Sequence, residues 1–238
     1  MKIPNYIHLM HADKSKLNKV EKFCVDQWYN LHPDHDVIFH TDTDIRELVK
    51  KTYPHILGVY DDATGVIRGQ IGRYLVMITH GGTYADVDVC PFTCVNNWIE
   101  PHDELITVRR GVNDYEMDYQ FHSVKNHPVW EQMLLNGVEK WKNHTKLFEH
   151  VDQYRLCVFN TLSVHHLQEH VLKHKRRVME PPTCSSYQHN WGADECYTTH
   201  FSSESWLPHE KKRWHGDDAS FSNDVDVFIN MIREKILK

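Results

Sequence analysis

Apolar positions along the chain fall into short runs separated by segments in which they recur every three or four residues. That alternation predicts strands interleaved with helices. KIPNYIHLM (2–10) reads as a first strand, and Leu17, Val20, Phe23, Cys24 and Trp28 then recur at helical spacing through KSKLNKVEKFCVDQWYNL. DVIFH (36–40) is a second short strand, after which Asp42 or Thr43 is placed to cap a helix through DIRELVKKTY that stops near Pro54. Ile67, Ile71, Tyr74, Leu75 and Ile78 mark a helix over 66–80, ended by Gly81 and Gly82, and GGTYADVDV (81–89) follows at once as a strand. DELITVRR is a further strand candidate and HPVWEQMLLNGVEKWK (127–142) a further helix. The predicted class is therefore α/β, a mainly parallel central sheet flanked by helices. From about residue 180 the chain turns polar, aromatic and irregular, the pattern of a lid or binding loop.

Length and composition narrow the picture. The 238 residues suit one domain, 1–238, and hydrophobic residues at 40% with charged residues at 25% are ordinary for a globular protein. A formal charge of -6 argues against a nucleic-acid partner, because sequence-independent affinity for phosphate backbones needs clustered Lys and Arg. The one basic cluster, Lys173, Lys175, Arg176 and Arg177, reads as a solvated helix end. Neither a secretory signal nor a run of about 18 apolar residues is visible, so no transmembrane segment is expected and the encoded chain reads as cytoplasmic. The six cysteines lack a framework spacing and read as free thiols.

The chemistry concentrates in GGTYADVDV. In an extended strand side chains alternate, so Tyr84, Asp86 and Asp88 share one face, while Ala85, Val87 and Val89 share the core face. Two carboxylates roughly 7 Å apart on one face repel unless a cation or positively charged groups lie beside them. Hard cations such as Mn²⁺ or Mg²⁺ take oxygen ligands and use few carboxylates where substrate phosphates fill the remaining positions, so a sparse site of this kind implies a phosphorylated ligand.

The order Arg73-Tyr74, eight residues, then GG-x-Y-x-D-x-D resembles the signature of family 32 glycosyltransferases, which clostridial glucosylating toxins share in outline. IPNYIH resembles that family's opening motif, LHPDHDVIFHTDTD its second-strand region and HFSSESW its closing H-x-x-x-x-SW. The resemblance implies a GT-A fold, with residues 1–110 binding the nucleotide sugar and 111–238 forming the acceptor and lid part. It further implies a UDP- or GDP-hexose donor, a glycan or other hydroxyl acceptor, transfer with retention, and Mn²⁺ or Mg²⁺ as cofactor.

By the same resemblance Asp88 is the direct metal ligand, Asp86 contacts the ribose or the metal's water shell, and Arg73 lies near the donor sugar and orients Asp86. Tyr84 contacts the donor, His200 or Ser205 completes the metal shell, and the Trp206 indole donates to a diphosphate oxygen. Lid cations such as Lys211 or Lys212 help to neutralise the leaving group. His11 takes the place of the aromatic residue that stacks on the base, and Asp42 and Asp44 lie where the base or ribose is held. Asp118 and Gln120, inside DYEMDYQFH, line the reaction centre. At Gln70 the family has an aspartate that contacts the donor sugar, so donor choice is expected to depart from the family pattern. Two other readings compete. HLQEH (166–170) matches the H-x-x-E-H pattern of inverzincin zinc peptidases, and the substitutions at Gln70 and His11 suit a non-catalytic nucleotide-sugar or glycan binder.

Overall fold

A computed structural model describes residues 2–63, 65–109, 116–144, 177–179, 184–186, 197–200 and 230. Its strands are β1 (Tyr6–Met10), β2 (Asp36–His40), β3 (Gly82–Asp86), β4 (Val89–Pro91), β5 (Leu105–Arg109), β6 (Glu116–Ser123), β7 (Arg177–Met179), β8 (Cys184–Ser186) and β9 (Thr198–His200). The helices are α1 (Lys19–Leu31), α2 (Asp42–Thr52), α3 (Leu57–Asp62), α4 (Gly65–Thr79) and α5 (Pro128–His144). Six strands form one sheet in the order β2-β1-β3-β6-β5-β7, and β4-β9-β8 form a second, smaller one. β1 pairs in parallel with both β2 and β3, and β5 with β7, whereas β6 runs antiparallel between β3 and β5.

Helices cover both faces of the main sheet. On one face Tyr84, Leu105 and Phe121 pack with residues of α2, α3, α4 and α5; on the other Ile7, Leu9, Ala85, Ile106 and Val108 pack with Leu17, Val25 and Trp28 from the α1 side. α4 is enclosed almost all round, with every residue from Gln70 to Met77 buried. Polar groups on that helix must therefore find partners inside the protein. The α1 helix is also tied to the second sheet, because the Trp28 indole donates to the Val89 carbonyl at 2.8 Å.

Two glycines determine where β3 begins. Gly81 and Gly82 have φ of +68° and +100°, and a Cβ on Gly82 would stand 2.5 Å from the Tyr6 carbonyl oxygen of the neighbouring strand. Only glycine combines the left-handed turn with that approach. His8 of β1 locks the same corner: its Nε2 lies 2.9 Å from the Gly81 carbonyl and its Nδ1 2.9 Å from Nε2 of His40. Burial, followed by the neighbouring His40, lowers the His8 pKa to about 3, and burial lowers that of His40 to about 4. Both imidazoles are thus neutral at physiological pH.

Several expectations are corrected by the structure. The first helix starts at Lys19, five residues later than the pattern implied, because Asn18 and Glu21 form a reciprocal capping box; Lys14–Lys16 is a separate 3-10 turn. The cap of α2 is Thr41, paired with Asp44, and not Asp42 or Thr43. DYEMDYQFH was not recognised as a strand, yet most of it lies in β6. The GGTYADVDV strand ends at Asp86, and the chain turns through Val87 and Asp88 before entering β4 of the second sheet. Asp86 and Asp88 therefore do not share a face of one extended strand. Nor is one face of β3 open for chemistry, because the Tyr84 ring lies in the core, stacked on Phe121 at 5.0 Å.

Candidate active site

The site forms where β3 leaves the main sheet. Asp86, the last residue of β3, is met by Arg73 from α4, whose Nη2 lies 3.3 Å from Oδ1. The Tyr84 hydroxyl donates to the same oxygen at 2.6 Å, and the Arg73 guanidinium lies over the Tyr84 ring at 5.1 Å. This triangle follows from local geometry. Tyr84 and Asp86 are two apart on a strand and share the face that α4 covers, and α4 is so deeply enclosed that its arginine needs an internal carboxylate. A charge-assisted hydrogen bond and a guanidinium together hold the Asp86 side chain in place.

Asp88 is held differently. It is buried in the turn between the two sheets, and its Oδ1 lies 3.3 Å from Nε2 of His200. His200 is brought there by strand pairing, since its Cα partner in β4 is Val89, the residue after Asp88. Its imidazole stacks on the Tyr119 ring of β6 at 4.2 Å. Asp86, Asp88 and His200 each offer one ligand atom, and these atoms lie within 4.8 Å of one another.

That set fits a divalent cation. Bonds of about 2.0–2.3 Å place ligand atoms roughly 3 Å apart when adjacent and up to about 4.5 Å apart when opposed, so three atoms this close need little adjustment. Two carboxylates against one guanidinium leave net negative charge, which a dication reverses to net positive. Carboxylate oxygens suit Mg²⁺ and Mn²⁺, and the imidazole nitrogen favours a transition metal of the two.

Comparison with known proteins agrees with this geometry. Residues 18–105 match the family model described as "Glycosyltransferase sugar-binding region containing DXD motif". These residues are similar to the DXD-containing sugar-binding region of glycosyltransferases. The chain is 36% identical over 139 residues to inositol phosphoceramide mannosyltransferase 3 of Schizosaccharomyces pombe, covering 56% of this chain and 37% of that protein. It is 28% identical over 210 residues to inositol phosphoceramide mannosyltransferase 2 of the same organism, covering 84% of this chain and 53% of that one. The chain thus spans between about a third and a half of the length of these curated relatives. Among solved structures the PaToxG glycosyltransferase superposes with a TM-score of 0.50 at 18% identity, covering 72% of this chain and 74% of that one. The fold is GT-A.

Within the matched region, the structure brings Arg73, Tyr84, Asp86 and Asp88 together and adds His200 from near the other end of the chain. The remaining candidates are placed as follows. Gln70 is buried in α4, where its Oε1 accepts from the Tyr74 hydroxyl at 3.0 Å. His11 lies just beyond β1, its backbone N–H bonded to the His40 carbonyl and its Nδ1 2.8 Å from the Asp13 carbonyl. Asp44 is engaged in the α2 capping box, and Asp42 pairs with Arg68 at 3.4 Å. Asp118 lies in β6, and Gln120, also in β6, is buried opposite Ala85 of β3.

Ser205, Trp206, Lys211, Lys212, the HLQEH segment and nearly all of the irregular stretch after residue 180 lie outside the described residues. The parts of that stretch that are described include β8 and β9. Among the described cysteines Cys24, Cys90 and Cys94 are free, and among the described residues no helix is long and apolar enough to cross a membrane. Sequence reasoning missed Tyr119 and Thr198, which contact His200 and Gln120 respectively. The only signal for either was closeness to a residue already singled out.

Proposed function

We propose that the chain is a metal-dependent hexosyltransferase. It moves a sugar from a nucleotide diphosphosugar to a glycan or other hydroxyl acceptor, with retention, and Asp88, Asp86 and His200 hold the divalent cation, with Mn²⁺ first in order. The observation that carries this reading is the convergence of those three side chains beside Arg73 at the end of a GT-A strand. When bound, the cation supplies positive charge against the diphosphate as the bond to the sugar breaks. The protein's own groups do the rest. Arg73 and Tyr84 hold Asp86 in position; Asp88, the more buried carboxylate, is the principal ligand; His200 must be neutral to offer its nitrogen. Residues 1–110 thereby supply the donor site, and 111–238 supply His200 and the acceptor side, where Ser205 and Trp206 are placed by motif.

The two relatives quoted above are named mannosyltransferases acting with inositol phosphoceramide, which puts a mannose donor first for this chain and a glycolipid or lipid-linked hydroxyl among its acceptors. The test is nucleotide release from GDP-mannose, UDP-glucose and UDP-galactose with and without Mn²⁺. Mn²⁺-dependent release from one donor, in preference to the others, is expected. Thermal stabilisation by a donor with no release from any would instead support a non-catalytic binder, a reading favoured by Gln70, whose amide replaces a carboxylate and is turned towards Tyr74. Release insensitive to chelator would remove the cation from the account.

A further inference from the structure

We propose that Gln120 and Thr198 are positioning residues that fix the register of β9 and thereby set His200 against Asp88. The inference rests on the metal-site reading above and extends it to residues outside the ligand set. β9 has three residues, too few for its pairing with β4 and β8 to define register firmly, and a slip of one residue turns every side chain to the opposite face. In β9 the side chains of Thr198 and His200, two residues apart, share a face. Both are met by β6. The Thr198 hydroxyl donates to Gln120 Oε1 at 2.8 Å, and His200 stacks on Tyr119.

The brace extends further. Gln120 Nε2 lies 3.4 Å from His122 Nε2, and His122 Nδ1 lies 2.7 Å from Thr83 Oγ1. With Thr198 donating to the amide oxygen, the amide nitrogen must face the ring as donor, so Nε2 of His122 accepts and its Nδ1–H donates to Thr83. One polarity satisfies the whole relay. Thr83, Gln120, His122 and Thr198 are all buried, so loss of one member leaves its partner's polar group in the interior at a cost. The relay therefore links β3, which carries Asp86, through β6 to β9, which carries His200. Groups that orient a metal's ligands commonly change its affinity by about 10–100-fold when removed.

The test is Mn²⁺ titration of the full chain, followed by electron paramagnetic resonance, alongside metal-free thermal unfolding. Thr198→Val keeps the volume and removes the donor; Thr198→Ser restores it. Thr198→Val should weaken Mn²⁺ binding about tenfold or more, and Thr198→Ser should bind within about threefold of the natural protein. Should Thr198→Val fail to fold, Gln120→Met removes the acceptor for Thr198 and the donor to His122 at similar volume and should weaken Mn²⁺ binding about tenfold or more. Variants that melt earlier yet bind Mn²⁺ as the natural protein does would show a merely structural role and overturn the inference while leaving the metal site standing. Failure of the natural protein itself to bind Mn²⁺ would overturn both.

Discussion

The two aspartates of the DXD motif are two residues apart, yet they belong to different parts of the molecule. Asp86 ends a strand of the main sheet, and its partners, Tyr84 and Arg73, come from the same strand and the helix before it. Asp88 sits in the turn into the second sheet and lies against His200, more than a hundred residues away in the chain. The first carboxylate is matched to a permanent cation, because a guanidinium does not titrate in the physiological range. The second faces an imidazole, which is charged only when protonated and is otherwise a metal ligand. The difference teaches that the negative charges are not interchangeable: Asp86 is shared with an internal guanidinium, whereas Asp88 lies against an imidazole.

The comparison is broken most directly at the two carboxylates. Asp88→Asn should lower transfer by about a thousandfold, the scale of losing charge stabilisation at a leaving group, and should also abolish Mn²⁺ binding. Turnover within about tenfold of normal in Mn²⁺-replete buffer would contradict it. Asp86→Asn should act on folding as well as on transfer. It leaves the buried Arg73 facing a neutral amide, at about 1–3 kcal/mol, or roughly 2–4 °C of melting temperature per kcal/mol for a chain of this size. Metal-free melting curves of the two variants check the asymmetry, and a larger loss for Asp88→Asn would reverse it.

A smaller effect is expected at the joint between the sheets. Trp28→Phe keeps the packing and removes the donor to the Val89 carbonyl next to Asp88, so stability should fall by about 1 kcal/mol and Mn²⁺ affinity by less than tenfold. Denaturant midpoints and metal titration together report it; unchanged midpoints would show that the bond is replaced. The gentlest test near neutrality is acid. His8 and His40 titrate near 6.5 when unfolded but are lowered to about 3 and about 4 in the fold, so below about pH 6.5 the unfolded chain binds protons that the folded chain refuses. Their contribution to stability is complete above that pH and is lost progressively on acidification towards their folded values. Urea midpoints should therefore fall between pH 7.5 and 5, and a flat profile would refute the neutral pair that locks the glycine corner of β3.

The same division decides what was legible in the sequence. Most elements of the main sheet announce themselves because the helix or strand is long enough to show its period, as DVIFH and the 66–80 helix do, and because Gly81 and Gly82 punctuate the entry to β3; β7 does not, and Arg177, expected at a solvated helix end, begins that three-residue strand. Arg73 and Asp86 were expected together, and they lie together. The second sheet was not legible, since its three-residue strands show no periodicity and pair across a hundred residues. For that reason alternation along GGTYADVDV was extended through Val87 and Asp88, where the chain in fact turns. β6 was hidden for another reason: Glu116–Ser123 mixes charged, aromatic and polar residues, because Gln120 and His122 enter a buried polar relay where the usual strand has aliphatic side chains. His200 was found through motif alone, and its braces, Thr198 and Tyr119, could be seen only in three dimensions.

The central claim is that Asp88, through a bound dication, is the contact between this chain and a sugar nucleotide's diphosphate. A crystal of the full chain grown with Mn²⁺ and a nucleotide diphosphate tests it, with the manganese located by anomalous scattering. The account predicts one peak within about 2.4 Å of an Asp88 carboxylate oxygen and of His200 Nε2, with diphosphate oxygens completing its shell. A diphosphate bound with no manganese at Asp88, or manganese bound elsewhere while Asp88 stays turned to His200, would contradict it.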